Sequence, residues 1–107
     1  MSWTINFYPK ETEKFLKKLS AKDLADVISE IQALKEYGFS KHNDNLKKMS
    51  GLSGIWELRV KQYRVFLLQT GVETLQVLHT IVKKSNKTPL EIIELLRNRV
   101  KYFGKNV

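Results

Sequence analysis

A chain of 107 residues, 42% of them hydrophobic and 28% charged, has the size and balance of one globular domain, and we read residues 1–107 as a single unit. The absence of cysteine excludes disulfides and thiolate metal sites. No apolar run exceeds five residues and the start, Met-Ser-Trp-Thr-Ile, lacks the pattern of a signal peptide, so a cytoplasmic protein without a membrane span is expected.

The net charge of +8 is unevenly spread. Through Ser40, six lysines face six acidic residues; from Lys41 onward, thirteen basic residues face five acidic ones, which accounts for all of the excess. A neutral scaffold followed by a basic region suits a polyanionic partner, because lysine and arginine gain affinity by releasing counterions from phosphates. Solubility alone is the competing explanation.

In chain order, Trp3, Ile5 and Phe7 alternate with polar residues and predict a short strand ending at Pro9. Pro9 suits the first turn of a helix to about Leu19, with Phe15, Leu16 and Leu19 on its apolar stripe. Ser20 and Asp23 resemble a capping box opening a second helix, in which Leu24, Val27, Ile28, Ile31 and Leu34 recur at helical spacing up to Gly38. The two helices read as an antiparallel hairpin covering a sheet. Residues 39–54 read as a polar loop. Ile55 to Val60, Tyr63 to Leu68 and Leu75 to Val82 then predict a three-strand meander. Thr88 as N-cap, Pro89 in the first turn and Glu91 as the third member of a capping box predict a last helix to about Phe103. The order β-α-α-β-β-β-α makes an α+β domain with a small, mostly antiparallel sheet packed by an N-terminal helix hairpin and a C-terminal helix.

If Lys61 and Gln62 form a two-residue turn, Val60 pairs with Tyr63 and Arg59 lies across from Arg64 on one face. Two facing guanidinium groups repel unless an anion joins them, so the pair is either a phosphate-binding fork or part of a salt-bridge ladder with Glu57. Lys83, Lys84 and Lys87 lie between the last strand and the last helix, at a strand end where functional groups often sit, although such a cluster is equally at home in a solvated loop. Lys47 and Lys48 in the preceding loop are weaker candidates. His79 falls in the alternating set Leu75, Val77, His79, Ile81 and reads as structural; His42, in a polar loop, is assigned no role. No metal-ligand spacing, phosphate loop or nucleophile elbow is present, and neither metal nor cofactor is expected. The chemistry left to basic side chains is attack of an RNA 2′-hydroxyl on its neighbouring phosphate, with arginine stabilising the phosphorane and a lysine among cations exchanging the proton. No residue stands out as the base.

The stretches GLSGIWELRVKQYRVFLL and LHTIVKKSNKTPLEIIELLRNRVKYF together resemble the phage-derived branch of the RelE/HigB toxin superfamily in their W-E-L-R, Y-R, L-H, V-K-K and K-T-P series, over Gly51 to Phe103. The resemblance implies a RelE-like fold and a toxin of a type II toxin-antitoxin pair that cleaves mRNA on the 70S ribosome without metal. It implies Arg64, Lys83 and Lys84 as catalytic residues and Arg59, Lys48 and Lys87 as RNA-binding ones. The chain lacks the tyrosine or histidine that several members carry at that strand end, so the resemblance names no base or acid. The implied partner is a cognate antitoxin, often of the helix-turn-helix type, through which alone operator DNA would be met. The same fold serves ParE-like inhibitors of DNA gyrase, and a non-catalytic RNA-binding module is the third alternative.

Overall fold

The computed structural model describes residues 3–38, 45–49, 51–83 and 88–103. Their elements are β1 (Thr4–Phe7), α1 (Pro9–Lys17), α2 (Ala21–Tyr37), β2 (Leu46–Lys48), β3 (Ile55–Val60), β4 (Tyr63–Gly71), β5 (Thr74–Val82) and α3 (Leu90–Tyr102). The five strands form one sheet in the order β1-β5-β4-β3-β2. β1 runs parallel to β5, and the other neighbours are antiparallel. The α+β order expected from the sequence is present, with β2 added.

Each sheet face is covered by its own helices, because the strands carry apolar side chains on both sides. Val27, Ile31 and Leu34 of α2 and Phe15, Leu16 and Leu19 before it pack on Leu58, Val65, Leu67, Leu75 and Val77. On the opposite face, Leu96 and Val100 of α3 pack on Ile55, Phe66, Leu68 and Leu78. Ser20 caps α2 as expected, its hydroxyl accepting from the Asp23 N–H at 3.2 Å. Gly38 closes α2 at φ +58, and a Cβ there would overlap the Trp3 indole.

Three local expectations are corrected. Residues 46–48 form a strand rather than loop, since Leu46 opposes Leu58, Lys47 opposes Glu57 and Lys48 opposes Trp56; three residues are too few to reveal a period. The last helix begins one residue later than read: Pro89 is the N-cap in an extended conformation, and no side chain caps the helix, so the Thr88 and Glu91 capping box is not made. The set Leu75, Val77, His79, Ile81 does not share a face. Phe66 pairs with His79 while Leu67 pairs with Val77, so Leu78 is an extra residue, and this bulge moves Ile81 to the α3 side.

Candidate functional site

The β3–β4 hairpin has the register read from the sequence: Val60 opposes Tyr63 and Arg59 opposes Arg64. Its turn places Lys61 at φ 55, a conformation that a lysine adopts only when held. The hold comes from α2. Lys61 Nζ lies 3.0 Å from Asp23 Oδ1 and 2.7 Å from Asp26 Oδ2, and Tyr63 Oη donates to Asp23 Oδ2 at 2.6 Å. The Tyr63 hydrogen bond, then that from Lys61, lowers the Asp23 pKa below the usual carboxylate value. Donation to Asp23 raises the Tyr63 pKa, and bonds to Asp26 and then Asp23 raise that of Lys61. Tyr63 also meets the Phe15 ring edge-on at 5.7 Å, which joins the turn to α1.

Cross-strand partners share a sheet face, so Lys47, Glu57 and Phe66 lie on the α3 side, as do Arg59, Arg64 and Ile81. α3 covers the apolar part of this face, and the charged part beside it lines a cleft of about 290 Å³. Its walls include Lys47 and Lys48 of β2, Glu57 and Arg59 of β3, and Lys83 just beyond β5, closed by Ile93 of α3. Glu57 sits among the cations. Its Oε1 is 3.0 Å from Arg59 Nε and its Oε2 is 3.5 Å from Lys83 Nζ, and the side chains of Glu57 and Lys83 are each only 8% exposed. Burying an ammonium costs several kcal/mol unless it is paired, so Glu57 is what allows Lys83 to point into the cleft. Lys83 is anchored by its backbone too, its N–H donating to Gln62 O at 2.7 Å.

Arg64 answers the repulsion from Arg59 differently. Its Nη1 donates to Lys61 O at 2.7 Å and to Tyr63 O at 2.8 Å, which caps the turn. Its Nε is buried without a hydrogen-bond partner. The alternatives left by the sequence are thus divided between the two arginines: Arg59 pairs with Glu57, and Arg64 retains an unused donor.

Among the sequence candidates, Arg59, Lys48 and Lys83 line the cleft and Arg64 stands opposite Arg59. Lys84, Lys87 and His42 lie outside the described residues. Lys47 and Glu57 also line the cleft. In the sequence Lys47 falls in an apparent loop and Glu57 reads only as a counter-charge; the signal that singles Glu57 out is a carboxylate at an inward position of a strand flanked by cations. His79 is half-buried near the other end of α3. Its Nδ1 lies 3.3 Å from Arg99 Nη1, while Arg99 also donates to Leu78 O and stacks 4.2 Å over the Tyr8 ring. Burial first, then the Arg99 charge, pushes the His79 pKa down. That cluster fixes α3 to the sheet and is separate from the cleft.

Three solved structures share this fold. The toxin RelE of Escherichia coli, a double arginine-to-alanine mutant in the free state, has a TM-score of 0.65 at 13% identity, over 94% of this chain and 99% of that one. The RelE-RelB complex of Pyrococcus horikoshii gives 0.63 at 14% identity, over 82% and 100%. The toxin-antitoxin complex RelBE2 of Mycobacterium tuberculosis gives 0.59 at 19% identity, over 78% and 100%. No curated protein sequence matches the chain significantly. The profile of the phage-derived Gp49-like proteins matches residues 14–101, a stretch that contains α2, β2 to β5, nearly all of α3 and every described residue of the cleft, and the chain belongs to that Gp49-like family.

Proposed function

We propose that the chain is the toxin of a toxin-antitoxin pair and acts as a metal-independent endoribonuclease on mRNA at the ribosome. The observation that carries this reading is the cleft beside α3, where Lys47, Lys48, Arg59 and Lys83 surround one buried carboxylate. The fold shared with RelE toxins and the Gp49-like family support it. Four cations at one opening suit a phosphodiester, and the arginine fork suits two of its oxygens.

In this reading the RNA 2′-oxygen bonds to phosphorus and the bond from phosphorus to the 5′-oxygen breaks, leaving a cyclic 2′,3′-phosphate and a free 5′-hydroxyl. Arg59 stabilises charge on the phosphorane, and Arg64, opposite it on the same face, adds its positive charge. Lys83 gives a proton to the departing 5′-oxygen in this scheme. Glu57 is the one carboxylate among the described lining residues, and as the phosphate draws Arg59 and Lys83 to itself, the carboxylate is released to accept the 2′-hydroxyl proton. Lys48 and Lys47 hold the flanking backbone. Lys84 and Lys87, which follow Lys83 in the sequence, extend the same basic segment.

The test is to map transcript 5′ ends in cells shortly after induction of the wild-type chain and of Arg64→Ala. New cuts inside translated frames with the wild type alone are expected. Growth arrest with intact transcripts and signs of DNA damage would replace this reading by gyrase inhibition, and no arrest at all by a plain RNA-binding module.

A further inference from the structure

The last turn of α3 leaves aromatic surface in water. Tyr102 is 76% exposed, and together with Tyr8, Lys10, Gln76 and Phe103 it lines a pocket of about 470 Å³. The pocket lies on the α3 side of the sheet, since Gln76 opposes Leu68, a residue of the core under α3. Its rings meet at steep angles. Tyr8 and Tyr102 stand 6.5 Å apart at 69°, and Tyr102 and Phe103 5.1 Å apart at 84°. Edge-on contacts of this kind leave ring surface free to stack with a further planar group.

A polar group inside the pocket lacks a partner. Gln76 is 6% exposed, and its Nε2 donates to Val77 O at 3.1 Å. A carbonyl oxygen only accepts, so this bond fixes which end of the amide is nitrogen and leaves Oε1 as the free acceptor. That oxygen meets no donor among the described residues. An acceptor buried to this extent normally has a partner, so the pocket is short of one N–H group. Lys10 is the one charged residue among the described lining residues, and none of them is a carboxylate. The adjacent Glu11 is engaged by Arg99 at 3.6 Å, and that guanidinium lies 4.2 Å over the Tyr8 ring.

We propose that this pocket takes an amino-bearing base of single-stranded RNA, stacked on Tyr102, its amino group donating to Gln76 Oε1 and a neighbouring phosphate meeting Lys10. That the strand is RNA rests on the nuclease reading; the pocket does not. Aromatic faces hold any base, whereas the lone acceptor of Gln76 selects one with an N–H to give. Continuity with the cleft favours a nucleic acid over a protein. Both openings lie on the α3 side, with Ile93 bordering the cleft and Tyr102 the pocket, about 14 Å apart along the helix. One strand of a few nucleotides reaches both.

The test titrates the chain with two labelled hexanucleotides, one of adenosine and one of purine riboside, which lacks only the amino groups; 2′-O-methyl riboses prevent cleavage. Fluorescence anisotropy should give at least about threefold tighter binding of the adenosine strand. Gln76→Leu should erase that difference, and Lys47→Ala, which acts through the cleft, should weaken both strands and keep it. Tyr102→Ala, at a position too exposed to matter to the fold, should raise Kd for both strands by about fivefold or more with thermal unfolding still cooperative. Equal binding of the two strands by the wild type, or an unchanged Kd in Tyr102→Ala, overturns the proposal and leaves RNA binding at the cleft standing. Saturation of the pocket by adenosine monophosphate without competition from the hexanucleotide assigns it to a free nucleotide. Loss in Tyr102→Ala of binding to the protein of the neighbouring gene, with RNA binding unchanged, assigns it to a protein partner. Either outcome overturns the proposal as well. Cleavage is not read in these titrations, so intact transcripts in cells would remove the nuclease reading and leave the result at the pocket as measured.

Discussion

At the scale of single residues, substitution separates the ion pairing of Glu57 from its proposed role as the base. Glu57→Gln keeps the shape and an acceptor oxygen but cannot take a proton; RNA cleavage should fall by about 10²–10⁴ with RNA affinity retained. Normal cleavage by that variant would leave Glu57 as a counter-charge alone. Glu57→Ala also strands Lys83, and should lower the unfolding free energy by about 3 kcal/mol in urea titrations, the low end for a broken buried pair because Arg59 keeps contact with water. Arg64→Ala removes two bonds to turn carbonyls and should cost about 1–2 kcal/mol, with a loss of about 10²–10³ in cleavage rate. His79 gives a pH dependence of defined sign. Its folded pKa is below the ordinary value near 6.5, so its contribution to stability is complete above that value and declines as pH falls from there toward the depressed pKa. The wild type should lose urea resistance between about pH 7.5 and 5.5, and His79→Gln should lose less.

At the scale of elements, the hairpin turn is held from outside itself. Lys61 at φ 55 is compatible with glycine, yet glycine cannot reach Asp23 and Asp26. Lys61→Gly should therefore unfold at a lower temperature than wild type but a higher one than Lys61→Ala, which loses the same ion pairs and keeps the backbone strain. Tyr63→Phe should lower the midpoint as well, and should shrink the acid sensitivity that Asp23 adds below about pH 4, where its carboxylate must take up a proton. The register of this hairpin was legible because Val60 and Tyr63 bracket two polar residues, and the apolar stripes of α1 and α2 were legible from their period. The bulge at Leu78 was not. Leu75 to Leu78 are buried without a break on both faces, so alternation of burial carries no marker of the extra residue. Nor was β2, whose pairing with β3 depends on a partner ten residues away rather than on its own side chains. The cleft was readable as far as Arg59 on β3 and Lys83 just beyond β5; the wall supplied by β2 depended on that unseen pairing.

At the scale of the whole molecule, one sheet separates two apolar layers, and the one under α3 holds a residue whose truncation should be felt globally. Phe66 is fully buried under α3, and Phe66→Ala should cost about 3–5 kcal/mol in the same urea titration. The cleft interrupts the α3 layer, so its charges sit beside the part of the core that this helix covers. RNA binding there should weaken with salt. Engagement of about three phosphates gives a slope of about −2 in log affinity against log salt, and Lys47→Ala should reduce it by about 0.7.

The parallel pairing of Thr4 with Thr74 has a consequence for how the chain reaches its native state. The β3–β4 hairpin closes over a two-residue turn, while β1 must wait for a partner made seventy positions later, so the antiparallel strands have the lower entropic cost of contact. In refolding experiments Val65→Ala should slow folding, whereas Ile5→Ala should leave the folding rate nearly unchanged and speed unfolding. The basic cleft would then take shape before the first strand joins the sheet.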